Sequence, residues 1–151
     1  MIVYLDASAL VKRYVAERGT DDVARLVEEA LVVGTSLISR AETSAALAKA
    51  VRLGALTRAS GAAALQVFHR EWPLLVRVQA TEVVMARADT LAWDLNLRGY
   101  DAVHLSTALT WQEGLGEAIT LATFDRQLWD AARMQGVSTF PEDLPVWLAQ
   151  A

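Results

Sequence analysis

The chain has no cysteine, which excludes a disulfide framework, a thiolate zinc site, an iron–sulfur cluster and a cysteine nucleophile together. Only metals that accept oxygen or imidazole ligands remain. Lysine is nearly missing: Lys12 and Lys49 stand beside 12 arginines, and 18 acidic residues outweigh both for a net charge of −4. A whole-surface basic nucleic-acid binder is thereby excluded, whereas a local basic rim is not. Long apolar runs are also missing. No stretch free of Asp, Glu, Lys and Arg is longer than Ala102 to Gln112, too short to span a bilayer, and the first residues carry no basic segment of a secretory leader. The expectation is a cytoplasmic protein with no membrane association.

What the chain does have is apolar residues, 54% of 151 before its eight glycines are counted, against an ordinary share of about 45–50%. The length suits one domain spanning 1–151, and the apolar surplus points to an oligomer interface. Apolar runs at Ile2 to Leu5, Leu31 to Ser36, Leu74 to Val78, Ile119 to Thr123 and Val137 to Phe140 read as strands. Stretches with helical spacing lie between them. Ser39 with Glu42 three residues on has the pattern of a capping box, and Thr57, Thr81 and Phe124-Asp125 mark further helix starts. Strands alternating with helices imply a three-layer α/β/α sandwich around a mostly parallel sheet.

Asp6, Glu42, Asp101 and Asp125 each fall at or near the start of a helix. Helix starts and strand C-termini share one edge of a parallel sheet, the edge where such folds bind ligands. Each carboxylate alone is explained by helix capping and the macrodipole. Four on one edge repel, and a hard divalent cation such as Mg²⁺ or Mn²⁺ relieves that repulsion. Ser8 and Thr123 lie two residues from Asp6 and Asp125 and can orient a carboxylate or a bound water. His104 is three residues beyond Asp101, on the same helical face, but its neighbours Leu105, Ala108 and Leu109 form a core stripe and favour a structural histidine.

The segments Tyr4-Leu5-Asp6-Ala7-Ser8, Ser39-Arg40-Ala41-Glu42, Gly99-Tyr100-Asp101-Ala102-Val103-His104-Leu105 and Leu121-Ala122-Thr123-Phe124-Asp125 resemble, in order, the acidic motifs of the PIN domain. They look most like the ribonuclease toxins of the VapC type, and the likeness covers essentially the whole chain. The resemblance implies that Asp6, Glu42, Asp101 and Asp125 carry a catalytic metal site. It also implies Mg²⁺- or Mn²⁺-dependent RNA cleavage, dimerisation, and inhibition by a small antitoxin protein.

Arg40, Arg98 and Arg126 each lie within three residues of one of these carboxylates, so a basic rim that holds RNA phosphates around an acidic centre is expected. Two other readings compete with a metal-dependent endoribonuclease. In a non-catalytic interaction domain, the carboxylates are caps and the apolar surplus meets a partner. An aspartate-centred phosphatase or receiver-like domain is the other, although Asp6-Ala7-Ser8 lacks the second Asp that a phosphatase of that kind uses as acid and base.

Overall fold

Four apolar residues, Ile2–Leu5, form β1 at the centre of the sheet, where a strand covered on both faces needs no polar alternation. The structure is a computed structural model that describes residues 1–150. Asp6 ends β1 and caps the single-turn helix α1 (Ala7–Leu10), which continues as a 3₁₀ turn over Val11–Arg13. Helix α2 (Thr20–Glu29) leads to β2 (Val32–Ser36), and α3 (Ser39–Arg52) and α4 (Arg58–Glu71) follow as a hairpin. After a 3₁₀ turn at Trp72–Leu74 come β3 (Val76–Val78), α5 (Glu82–Leu95), α6 (Gly99–Leu115) and β4 (Thr120–Ala122). Helix α7 (Arg126–Met134), β5 (Ser138–Phe140) and α8 (Leu144–Ala149) complete the chain.

The five strands are all parallel, in the order β3-β2-β1-β4-β5. Register places Tyr4 beside Gly34 on one side and Leu121 on the other. Alternation along β1 then divides the core. Tyr4 and Leu121 face α5, α6 and α7 with Leu91, Leu105, Leu109 and Leu128, while Val3, Leu5 and Ala122 face α1, α2 and α4 with Leu10, Leu26 and Phe68. The α/β/α sandwich expected from the sequence is therefore present, with helices on both faces of a parallel sheet.

Several local expectations shift. Ser39 is not a cap: Ile38 precedes the first turn of α3 without any side-chain hydrogen bond, and the buried Ser39 hydroxyl instead donates to Thr35 Oγ1 at 2.7 Å, the Thr35 proton going to the Leu5 carbonyl. An S-x-x-E pattern cannot distinguish these outcomes, because a hydroxyl beside a strand end has other partners. The third strand starts two residues late because Pro73 draws Trp72–Leu74 into a 3₁₀ turn. Gly34 is required by close approach, since a Cβ there would lie 2.5 Å from the Trp111 ring.

Candidate active site

The C-terminal ends of β1 and β4 are neighbours in the sheet, so the residues that follow them, Asp6 and Thr123, meet. Asp6 is buried and accepts three hydrogen bonds, from Ser8 Oγ at 2.7 Å, Ala9 N at 2.9 Å and Thr123 Oγ1 at 2.6 Å. Burial still raises its pKa; the charge of His104 and these hydrogen bonds oppose the rise without cancelling it. Ser8 and Thr123 stand in the places expected of orienting hydroxyls, 3.4 Å apart, and each also accepts a backbone N–H, from Phe124 and Asp125 respectively. The strand end, the turn into α7 and the Asp6 carboxylate are thus one hydrogen-bonded unit.

Asp6, Glu42, Asp101 and Asp125 all line a single cavity of about 180 Å³, with Ala7, Ser8, Tyr100 and His104. Larger hollows exist elsewhere on the surface, but none of them gathers these carboxylates. Capping accounts for two of the four: Asp6 accepts from Ala9 N and Asp125 from Leu128 N. It does not account for the other two. Asp101 lies inside the first turn of α6, whose preceding residue is Arg98, and Glu42 lies inside the first turn of α3. Asp101 is buried, and its pKa rises to about 6 through burial and the neighbouring charge of Asp125, against the pull of Arg98.

Glu42 is held by a residue that sequence periodicity assigns to the core. His104 is indeed buried, and its Nε2 lies 2.7 Å from Glu42 Oε1 while its Nδ1 lies 2.8 Å from the Tyr4 hydroxyl. A carboxylate accepts, so Nε2 donates to Glu42, while Nδ1 pairs with the Tyr4 hydroxyl and both ring nitrogens are engaged. A core stripe and a site-facing residue share the same helical period. The three-residue step from Asp101 was the available signal.

The expected basic rim is only partly free. Arg98 donates from Nε to Asp101 Oδ2 at 3.0 Å and also pairs with Asp125 Oδ2, its guanidinium lying over the Tyr100 ring at 5.0 Å. It therefore acts as the local counter-charge of two site carboxylates. Arg126 pairs with Asp130 one turn along α7 at 2.9 Å. Arg40 is exposed and makes no ion pair among the described residues.

The donor set of this cavity is four carboxylates with one imidazole at its edge, two of the carboxylates buried with raised pKa values. A hard divalent cation fits such a set. Among the described residues no three His, Asp or Glu side chains are already gathered at coordinating range. Arg98 and His104 engage one oxygen each of Asp101, Asp125 and Glu42.

The profile of the PIN domain matches residues 3–134. Ribonuclease VapC45 of Mycobacterium tuberculosis (strain CDC 1551 / Oshkosh) is 34% identical over 144 residues, covering 95% of this chain and 97% of the relative. Among solved structures, PAE2754 from Pyrobaculum aerophilum superposes with a TM-score of 0.64 at 20% identity, over 100% of this chain and 91% of that one. VapBC2 from Rickettsia felis, bound to a DNA fragment from their promoter, gives 0.61 at 15% identity, over 92% and 97%.

Proposed function

The chain belongs to the PIN-domain family, and from that premise we propose that it is a divalent-metal-dependent endoribonuclease, the toxin of a type II toxin–antitoxin pair. The observation that carries the reading is the convergence of Asp6, Glu42, Asp101 and Asp125 on one small cavity at the C-terminal edge of the sheet. Family membership, with a ribonuclease at 34% identity across nearly the full chain, supports RNA as the substrate, and the similarity to the toxin of the two-component VapBC2 assembly supports a small protein antitoxin as the partner.

Mg²⁺ or Mn²⁺ held by the four carboxylates would neutralise them, polarise the scissile phosphodiester and lower the pKa of a bound water. The protein's own groups fix the geometry around that chemistry. Ser8, Thr123 and the amide of Ala9 hold both oxygens of Asp6. His104, itself oriented by Tyr4, holds Oε1 of Glu42 and leaves Oε2 without a hydrogen bond among the described residues. The N-cap bond from Leu128 fixes Asp125 through Oδ1. Arg98 neutralises Asp101 and Asp125 when no cation does, and once displaced its exposed guanidinium is free to meet a phosphate. In-line hydrolysis at such a site leaves 5′-phosphate and 3′-hydroxyl ends.

The test is incubation of the purified protein with single-stranded RNA. Cleavage that appears with Mn²⁺, stops with EDTA and leaves 5′-phosphate ends is expected. Metal-independent cleavage, or 2′,3′-cyclic phosphate ends, would overturn the mechanism. In a non-catalytic interaction domain, RNA would remain intact under every condition.

A further inference from the structure

Resting on the ribonuclease reading, we propose that the α3–α4 hairpin is a cationic track along which the RNA backbone lies as it leaves the carboxylate cavity. All 18 acidic residues of this net-negative chain lie outside Thr43–Arg70, whereas that stretch carries Lys49, Arg52, Arg58 and Arg70. It comprises most of α3 and all of α4 but its last residue. Lys49, Arg52 and Arg58 are exposed, and none makes an ion pair among the described residues. Outside the hairpin most cations are matched: Lys12, Arg13, Arg25, Arg87, Arg98 and Arg126 each pair with a carboxylate, and Arg18, Arg77 and Arg133, which do not among the described residues, are scattered along the sequence. Unmatched positive charge is therefore concentrated on the hairpin, and a polyanion is the complementary ligand.

The hairpin has a shape to match. Its helices pack so closely that a Cβ on Gly61 would lie 2.4 Å from Val51 Cγ2. A groove of about 480 Å³ runs along the contact, with Ser44, Ala48 and Leu65 among its lining and Arg52 and Arg58 at its rim. It begins two residues beyond Glu42, which lines the cavity where the phosphodiester is cut. From Glu42 to Arg52 the helix rises about 15 Å, over which a strand stacked at about 3.4 Å per nucleotide presents about four phosphates. Phe68 and Trp72 are buried, and the exposed ring in this stretch, His69, lies near the end of α4, away from the Arg52 and Arg58 end of the groove. The contacts are then to phosphates and do not read sequence. Continuity with the cutting site, together with Arg52 and Arg58 unpaired at the groove among the described residues, favours RNA over an acidic protein.

The experiment compares the full-length parent with Lys49→Ala/Arg52→Ala/Arg58→Ala, and with a control of equal charge change on other faces, Arg25→Ala/Arg87→Ala/Arg133→Ala. Binding of a labelled mixed-sequence 20-nucleotide RNA in EDTA is read by fluorescence anisotropy from 50 to 200 mM salt, with circular dichroism confirming the fold. The hairpin variant should lose about 2 from the slope of log affinity against log salt, so that the parent's affinity falls about 20-fold more across this range. The control should keep most of the parent's slope. Parent protein that binds and cuts RNA while the hairpin variant matches it in affinity and slope would overturn the track and leave the ribonuclease reading intact. Parent protein that neither binds nor cuts RNA would overturn both. Unchanged RNA binding with lost binding to poly-glutamate would assign the face to an acidic protein, and a changed sedimentation coefficient alone would assign it to a second copy; each overturns the proposal.

Discussion

Replacing Asp101 by Asn should stabilise the metal-free protein at neutral pH, even though it removes a hydrogen-bonded ion pair. The Asp101 carboxyl is buried, and its pKa is raised from the ordinary 3.8 to about 6 by burial and by Asp125. An acid with a raised folded-state pKa favours the folded state fully below its unfolded pKa. That contribution is lost as pH rises from about 4 through 6, and above pH 6 the loss is complete. Two pKa units correspond to about 3 kcal/mol. The variant gives up the Arg98 contact, but Arg98 is half exposed and keeps Asp125, so the offset is about 1 kcal/mol or less. The net gain of about 2 kcal/mol corresponds to a rise in Tm of about 4–8 °C for a chain of this length. Thermal unfolding in EDTA, followed by circular dichroism from pH 4 to 7.5, should show the two proteins converging at the acid end, separating as pH rises from about 4 through 6, and keeping a constant gap above that. A variant less stable than the parent at pH 7.5, or a gap that does not change with pH, would refute the reasoning.

Arg98→Ala should raise Mn²⁺ affinity, because the guanidinium no longer competes for Asp101 and Asp125; calorimetric titration giving equal or weaker binding would contradict this. Gly34→Ala should cost about 1–3 kcal/mol in urea denaturation, since the added Cβ meets the Trp111 ring in a filled core, and an unchanged midpoint would show that the ring yields freely. The protein should sediment as a homodimer at micromolar concentration, in keeping with exposed apolar side chains such as Leu31, Leu74, Val83 and Trp93, and a monomer alone would contradict that expectation.

The order of strands and helices was legible because buried parallel strands and amphipathic helices carry different periods, and those periods survive in a single chain. The convergence of the four carboxylates was legible for a topological reason: a residue after a parallel strand, or in the first turn of a helix that runs back against the strands, lands on the same edge. Side-chain partners were less accessible. Arg98 and Arg126 both sit near a site carboxylate in sequence, yet a long guanidinium chooses among all acids within reach. Arg98 found Asp101 and Asp125 across the cavity, and Arg126 turned along its helix to Asp130. The Arg126 pairing had a signal in its four-residue spacing. His104 belongs to core and site at once, bonded to Tyr4 within the fold and to Glu42 at the cavity, and helical period alone does not separate the two. The tail beyond Pro141 had no clear period. It forms α8, capped by Asp143, with Trp147 stacked under Arg18 at 3.8 Å and against Phe124. Those contacts join residues more than 100 positions apart for Arg18, a link that local pattern does not contain.

Glu42→Gln provides the most direct test, because Gln keeps an Oε1 acceptor for His104 while removing the charge, leaving the Tyr4–His104 chain in place. Mn²⁺ affinity and RNA cleavage are measured on the same preparations of parent and variant. If the four carboxylates form the catalytic metal site, the variant should fold normally, bind Mn²⁺ more weakly and cut RNA about 100-fold more slowly or worse. A folded Glu42→Gln protein that binds Mn²⁺ and cuts RNA as the parent does would place the chemistry elsewhere.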